Sequence, residues 1–419
     1  MLTREMKDSG VEWIGNIPEN WKTMRLKNAL FRRKEIVSEY KGESILSLTM
    51  NGVVVRDLDN PKGKMPVSFD GYQSISKGNI ITCLFDIDVT PRCVGIANED
   101  GLTSPAYTQY KVNNRFDMEF VYYYLLMLDN DKILVPITKS LRNTIKSEDL
   151  LNLKFSFPNI EQQRRIISYI KDSTLKIDAI IHETQRSIEE LKKYKQALIT
   201  EIVTKGLDKN VETRDSEIEW IGKIPTSWRL TKMSRLFEIK KVVANSLDYE
   251  VLSVTQQGLR VKNINQNEGQ MAADYSKYQI VDPEDFVMNH MDLLTGWIDV
   301  AKQVGVTSPD YRVFRAKNTE VIDNEFFLYI FQICYLNRIF YGLGQGVSNL
   351  GRWRLQTDKF LNFYLPLPPK KEQVELTQFL HQKIVKIDSL IKEKQEIISE
   401  YEQYKKSLIY EYVTGKKEV

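Results

Sequence analysis

Three stretches of this chain carry the side chains best suited to hydrogen-bond the edges of bases and the phosphates of a duplex. Arginine and lysine suit guanine and phosphate, and asparagine and glutamine suit adenine. Each stretch has a counterpart in the other half. Residues 49–64 read TMNGVVVRDLDNPKGK, and residues 255–270 read TQQGLRVKNINQNEGQ. Arg56, Lys62 and Lys64 are the candidate contacts in the first, and Arg260, Lys262, Asn263 and Asn265 in the second. The alternative for both is a solvated hairpin. Residues 139–146 (KSLRNTIK) are matched by 348–354 (SNLGRWR), setting Arg142 against Arg352, with Asn143, Lys146 and Arg354 close by. Gly342, Gly344 and Gly346 precede the second copy, where they would let the backbone approach a phosphate. The competing expectation is an arginine paired with a nearby carboxylate to fix its loop. Residues 86–92 and 292–298 form a third, weaker pair, with Arg92 its one obvious cation.

Other chemistry is not written here. The sequence has no GxxxxGK[ST] phosphate loop and no HExxH. It also lacks the Asp or Asn followed by two prolines and an aromatic that an adenine methyltransferase needs. Cys83, Cys93 and Cys334 are an odd set without CxxC spacing, and His182, His290 and His381 lie far apart. Neither a disulfide framework nor a metal site is expected, and no catalytic residue is assigned.

The elements that must position these loops are written twice. VEWIGNIPENW at 11–21 returns as IEWIGKIPTSW at 218–228, so Trp13, Gly15, Pro18 and Trp21 recur as Trp220, Gly222, Pro225 and Trp228. LSLT at 46–49 returns as LSVT at 252–255, and Thr103-Ser104-Pro105 with Tyr107 as Thr307-Ser308-Pro309 with Tyr311. Lys176-Ile177-Asp178 matches Lys386-Ile387-Asp388, and Tyr194-Lys195 matches Tyr404-Lys405. The matches stay collinear at a spacing of roughly 208 residues, too long for a solenoid repeat, so a whole module is duplicated.

Each module opens with a head, near 10–155 and 217–365, of short β-type runs such as NIITCLF (79–85) and FLNFYL (360–365). Each head also carries one helix, around 118–128 and 324–336. Pro158 in one copy and Pro366, Pro368 and Pro369 in the other are read as stopping the preceding strand. A long helix follows, free of proline and glycine across 161–205. Ile167, Ile170, Ile177, Ile181, Ile188, Leu191, Leu198 and Ile202 fall on its a and d positions, with Thr174, Thr184 and Lys195 as polar breaks. The second copy keeps the register with Leu380, Ile384, Ile387, Ile391, Ile398, Tyr401, Leu408 and Tyr412, and has Lys405 where the first has Lys195. Gly206 and Gly415 end the helices.

The fold class expected is therefore α+β. Two similar globular domains are separated by two long helices packed as an antiparallel coiled coil, an internal duplication with pseudo-two-fold symmetry. Helices of about 40–45 residues would span roughly 60–68 Å. The divisions are 1–157 and 207–366 for the heads, 158–206 for the central helix and 367–419 for the C-terminal helix. Trp13, Trp21, Trp220 and Trp228 belong to the shared framework and are read as packing anchors. Lys195 and Lys405, at a positions, are read as setting helix register or snorkelling to solvent instead of touching DNA.

Composition bounds the function without deciding it. The 419 residues leave room for two or three domains, and 42% hydrophobic with 27% charged residues is ordinary for a folded chain. A net charge of +3 makes no case for nucleic acid by itself, so that case rests on local patches. No apolar run approaches a membrane span and no signal peptide is evident, so a reducing cytoplasm is expected.

Taken together, the chain resembles the specificity subunits of type I restriction–modification systems over essentially its whole length. The carriers are the EWIG-x-IP-x-x-W opening, the Thr-Ser-Pro-x-x-Tyr pattern and the runs FSFPNIEQQRRI (155–166) and LPLPPKKEQVEL (365–376). The KID word and the endings YKQALITEIVTKG and YKKSLIYEYVTGK complete the set. PNIEQQ in the first copy departs from the family's usual double proline followed by an acidic residue. The resemblance implies that each head is a target-recognition domain reading one half of an asymmetric, bipartite site in double-stranded DNA, the helices setting the spacer. It also implies docking of two adenine methyltransferase subunits on the coiled coil, with restriction subunits as further partners. S-adenosylmethionine, ATP and magnesium would belong to those partners and not to this chain. The other class of reading is a coiled-coil protein–protein adaptor without DNA specificity.

Overall fold

The computed structural model describes residues 4–61, 65–138, 142–263, 272, 274–346 and 353–419. The chain divides into two units, residues 1–185 with 395–419, and residues 186–394. Each unit thus holds one head together with a stretch of both long helices.

In the first unit, Leu30–Arg33, Thr108–Val112, Ile80–Thr82 and Val94–Ile96 form an antiparallel four-stranded sheet in that order. Gly52–Val55, Ile45–Thr49, Gly101–Thr103 and Gln73–Ile75 form a second, with a parallel pair at its centre. The last strand, Lys154–Phe157, returns to pair with Lys22–Arg25, just after the EWIG opening. The second unit repeats this plan. Phe237–Lys240, Arg312–Ala316, Phe286–Met288 and Ile298–Val300 make the antiparallel sheet. The hairpin Leu252–Thr255 with Gly258–Val261 is joined to the pair Gln279–Val281 with Gly305–Thr307 by a parallel bridge from Val251 to Val306. Arg229–Lys232 pairs with Tyr364–Leu367. The α+β expectation holds in both heads.

One helix per head closes the core. Met118–Asn130 starts where the Asp117 carboxylate accepts from the amides of Glu119 and Phe120, and Asn324–Leu336 where Asp323 accepts from Phe326. Both are apolar on nearly every side and correspondingly buried.

Two strand expectations need correction. Phe360 and Leu361 end a short helix, Thr357–Leu361, and the strand begins only at Tyr364. Pro366 lies inside that strand instead of stopping it. It is tolerated because the sheet has only two strands, and the missing amide falls where no ladder bond is needed. Pro368 and Pro369 do mark the end.

The long helices run Ile160–Lys205 and Lys370–Val413. In the first unit Tyr169 meets Tyr412 with ring centroids 4.6 Å apart, and Asp178 meets Lys405, so the two helical segments are antiparallel. In the second unit Ile202 shares a core with Leu380, while Lys195 reaches Asp388. Of the predicted heptad positions, Ile167, Ile170, Ile177, Ile188, Ile202, Leu380, Ile387, Leu408 and Tyr412 are buried, whereas Ile181, Leu191, Leu198, Ile384, Ile391, Ile398 and Tyr401 are half-buried and the polar break Thr174 is itself buried. Among the described residues, no helix is long and apolar enough to cross a membrane.

The repeated words now have physical roles. Gly206 and Gly415 turn left-handed at the helix ends, with φ of 76° and 73°. A Cβ on Gly415 would come within 2.6 Å of Pro18 and 3.1 Å of Trp21. Gly206 lies against Trp228 in the same way, at 3.3 Å. The IP-x-x-W word is therefore the seat on which a long helix ends. Trp21 and Trp228 are 1% exposed, and Trp220 stacks on Phe363 with the rings 7° apart. All four tryptophans pack in the cores, as anchors should.

Candidate nucleic-acid interface

In the first unit, the 45–55 hairpin turns at Met50 and Asn51. Thr49 Oγ1 donates to the Gly52 carbonyl and accepts the Asn51 amide. Arg56 leaves this hairpin half-buried, its own amide bonded to the Ile45 carbonyl at 2.7 Å. The second and third candidate stretches lie side by side. Asp86 and Ile87 donate their amides to the carbonyls of Arg142 and Asn143, and Ile145 donates to Leu84. Arg142 forks onto Asp86, with Nη2 3.0 Å and Nε 3.3 Å from its two carboxylate oxygens. The loop-fixing pair anticipated as the alternative is thus present, although the Arg142 side chain remains 78% exposed. Asn143 accepts from Thr138 Oγ1 and is left-handed, as is Asp86. Lys146 is exposed at the start of the helix Ser147–Asn152. Arg92 is half-buried and donates to the Tyr122 hydroxyl at 3.4 Å, inside the head.

In the second unit the three stretches converge more fully. Arg260, Lys262 and Asn263 from the hairpin, with Asn289, Met291 and Asp292 from the facing loop, line one concavity of about 700 Å³. The hairpin is tied to its neighbours by Asp299, which accepts the Leu259 amide at 2.7 Å. The final loop joins from the other side: Leu293 donates to the Trp353 carbonyl and Leu355 to that of His290. Arg354 is exposed beside it and pairs backbone to backbone with Gln345.

Of the three glycines before this loop, Gly342 faces open space, but Gly344 and Gly346 do not make room for a phosphate. A Cβ on Gly344 would meet Leu293 at 2.7 Å, and one on Gly346 the Trp353 ring at 3.0 Å, so protein atoms already fill that space. Lys62, Lys64, Asn265 and Arg352 lie outside the described residues.

Sequence reasoning missed the buried amides that hold the loops up. Gln73 donates from Nε2 to the carbonyls of Ser104 and Tyr107, both at 2.8 Å. Gln279 does the same to Ser308 and Tyr311, at 2.8 and 2.7 Å. These are the turns of the Thr-Ser-Pro-x-x-Tyr words. The signal was present, since Tyr72-Gln73 recurs as Tyr278-Gln279. His290 and Arg312 were also passed over, because neither has a counterpart in the first head. Among the described residues, no group of three potential metal ligands gathers.

The head is thus built twice, each time with a buried glutamine holding the turn of the Thr-Ser-Pro-x-x-Tyr word. Residues 232–399 match the family model of the type I restriction modification DNA specificity domain. A putative type I restriction enzyme MjaX specificity subunit from Methanocaldococcus jannaschii is 23% identical over 430 residues, spanning 96% of this chain and 95% of that one. The MjaVIII specificity subunit of the same organism is 23% identical over 63% of this chain and 62% of its own length. Among solved structures, a chain from a study of assembly and conformational transition of the type I R-M system superposes with a TM-score of 0.68 at 14% identity, covering 95% of this chain and 98% of its own. The HsdS subunit from Thermoanaerobacter tengcongensis gives 0.50 at 13% identity, covering 96% and 98%. The chain is thus similar to specificity subunits of type I restriction–modification systems over nearly its whole length, and residues 232–399 carry the specificity-domain family model.

Proposed function

We propose that this chain reads double-stranded DNA, each head contacting one part of an asymmetric two-part target. The observation that carries this is that loops bearing arginine, lysine and amide side chains stand at equivalent places in the two heads, side by side at 84–87 and 142–145 in the first and around one concavity in the second. In the first head the contacts are Arg56, Arg142, Asn143 and Lys146, with Lys62 and Lys64. Arg92 is the weakest member, being engaged with Tyr122. In the second they are Arg260, Lys262, Asn263 and Arg354, with Asn265 and Arg352. Side chains on base edges select sequence, and those on phosphates hold register.

In this reading residues 1–157 and 207–366 are the target-recognition domains. Residues 158–206 and 367–419 set the spacer and dock two adenine methyltransferase subunits, with restriction subunits as further partners. S-adenosylmethionine, ATP and magnesium serve those partners, inside the cytoplasm.

The test is methylome sequencing of a methylation-free host expressing this chain with its neighbouring methyltransferase. Adenine methylation at one gapped motif, absent without this chain, is the expected result. An assembled, intact methyltransferase complex that methylates no such motif would remove the reading.

A further inference from the structure

Beneath the converging loops of the second unit lies a positive charge with no counter-charge among the described residues. Arg312, at the start of its strand, is 4% exposed. Its Nη2 donates to the Leu355 carbonyl at 3.0 Å and lies 3.4 Å from Thr357 Oγ1. The guanidinium stands over the Phe360 ring, 4.4 Å from its centroid. These partners are all neutral, and Nη1 is buried with none. Next to it His290 is 6% exposed, with Nδ1 also buried and unpartnered. Burial, then the charges of Arg312 and Arg354, push this imidazole down to about 3, so it brings no charge at neutral pH.

The first head is built differently at this point. Thr108 occupies the strand position of Arg312, opposite Thr82 where Arg312 lies opposite Met288. Leu84 accepts the bond from Ile145 that His290 accepts from Leu355. The buried charge there is balanced, Asp129 with Lys132 at 2.9 Å. A lone buried cation costs free energy unless something supplies the opposite charge. The groups above it do not all help: Arg354, Arg260 and Lys262 are cationic, Asp310 is anionic, and Asp292 accepts the amides of Leu294 and Thr295 within its own turn.

We propose that Arg312 is a buried electrostatic anchor for a DNA phosphate at the second head, holding Leu355, and through it Arg354, at the duplex. The proposal rests on the reading of this chain as a DNA reader. The phosphate supplies the anion that the fold leaves out. Because the first head lacks the anchor, the second half-site contributes the larger share of salt-sensitive affinity.

The experiment uses the full complex with its modification subunits, comparing R312M, R312Q and R312K with the unaltered chain. Affinity for target duplex is measured across salt concentrations, and thermal unfolding is followed without DNA. R312Q is expected to unfold no earlier than the unaltered chain, since it removes an uncompensated charge and keeps a donor, whereas R312M also leaves the Leu355 carbonyl without its donor and is expected to unfold earlier than R312Q. They should bind at least tenfold more weakly, with the slope of log K against log salt shallower by about one. R312Q retains a donor for the Leu355 carbonyl, so its loss of slope separates charge from positioning. R312K should keep the slope and recover part of the affinity. If R312M fails to fold, R312Q gives the result. A neutral variant with unaltered slope and affinity, or with lower stability and an unaltered slope, overturns the anchor. Absence of salt-dependent binding by the unaltered complex would overturn the DNA reading itself, and the anchor with it.

Discussion

Lys405 Nζ lies 2.6 and 2.7 Å from the two carboxylate oxygens of Asp178, joining residues 227 positions apart. In the second unit Lys195 stands in the same relation to Asp388, at 2.7 and 2.8 Å. The repeated words KID and YK are thus two halves of one device. Each long helix carries both halves, and each half is completed by the other helix. An a-position lysine in an apolar seam fixes register because only one alignment gives it a carboxylate.

The pairs are partly exposed, so each is worth little by itself. A double-mutant cycle on Asp178 and Lys405 should give a coupling of about 0.5–1 kcal/mol, falling with salt. K405D should lower the unfolding temperature, and the swap D178K/K405D should recover most of the loss. A swap no more stable than K405D would show that the pair does not set register.

Gly415→Ala should cost more than Gly206→Ala, although both positions are left-handed. Both suffer the backbone penalty of about 1 kcal/mol. Only the first also drives a methyl into Pro18, at 2.6 Å against 3.3 Å for the closest atom at Gly206. Denaturant unfolding should separate them, and equal losses would mean that the seat yields without cost.

Gln73→Ala should destabilise by about 2–3 kcal/mol, since two carbonyls of the 104–107 turn lose their buried donor. Gln279→Ala should match it at the 308–311 turn. A loss below about 0.5 kcal/mol in either would indicate that water replaces the amide.

His290 gives an acid-side prediction. Its folded value, about 3, lies below the 6.5 of an exposed imidazole, so the unfolded chain takes up the proton first as pH falls. The contribution is complete above pH 6.5 and is lost progressively between 6.5 and 3, at up to about 1.4 kcal/mol per pH unit. The stability of the unaltered chain should therefore fall relative to that of H290Q as the solution is acidified through that window. Curves that stay parallel would place the histidine proton elsewhere.

Asp86→Ala should free Arg142 and alter recognition by the first head alone. Methylome sequencing should show one half of the motif relaxed and the other intact. Changes in both halves would contradict independent heads.

The duplication and the helix register were legible because both are written as spacing. Trp21 and Trp228, Gly206 and Gly415, and the a and d residues each announce their role by recurring. Gln73 and Gln279 recurred too but were overlooked, since a glutamine in a strand gives no periodic signal. Arg312 could not be found by recurrence, because burial of a charge depends on which loops cover it. The engagement of Arg142 with Asp86 was one of two open alternatives. Only the fold, by setting residues 86–87 against 142–143, brings that pair together.

The first unit is discontinuous: residues 395–419 complete it, and Leu408, Ile409, Tyr412 and Val413 stand in its core. The second, residues 186–394, is continuous. During synthesis, then, the order usual for tandem domains is inverted. The head made first must wait, with part of its apolar surface open to water, until residues 395–419 leave the ribosome. Truncation by a few turns at the C-terminus would therefore harm the N-terminal head most.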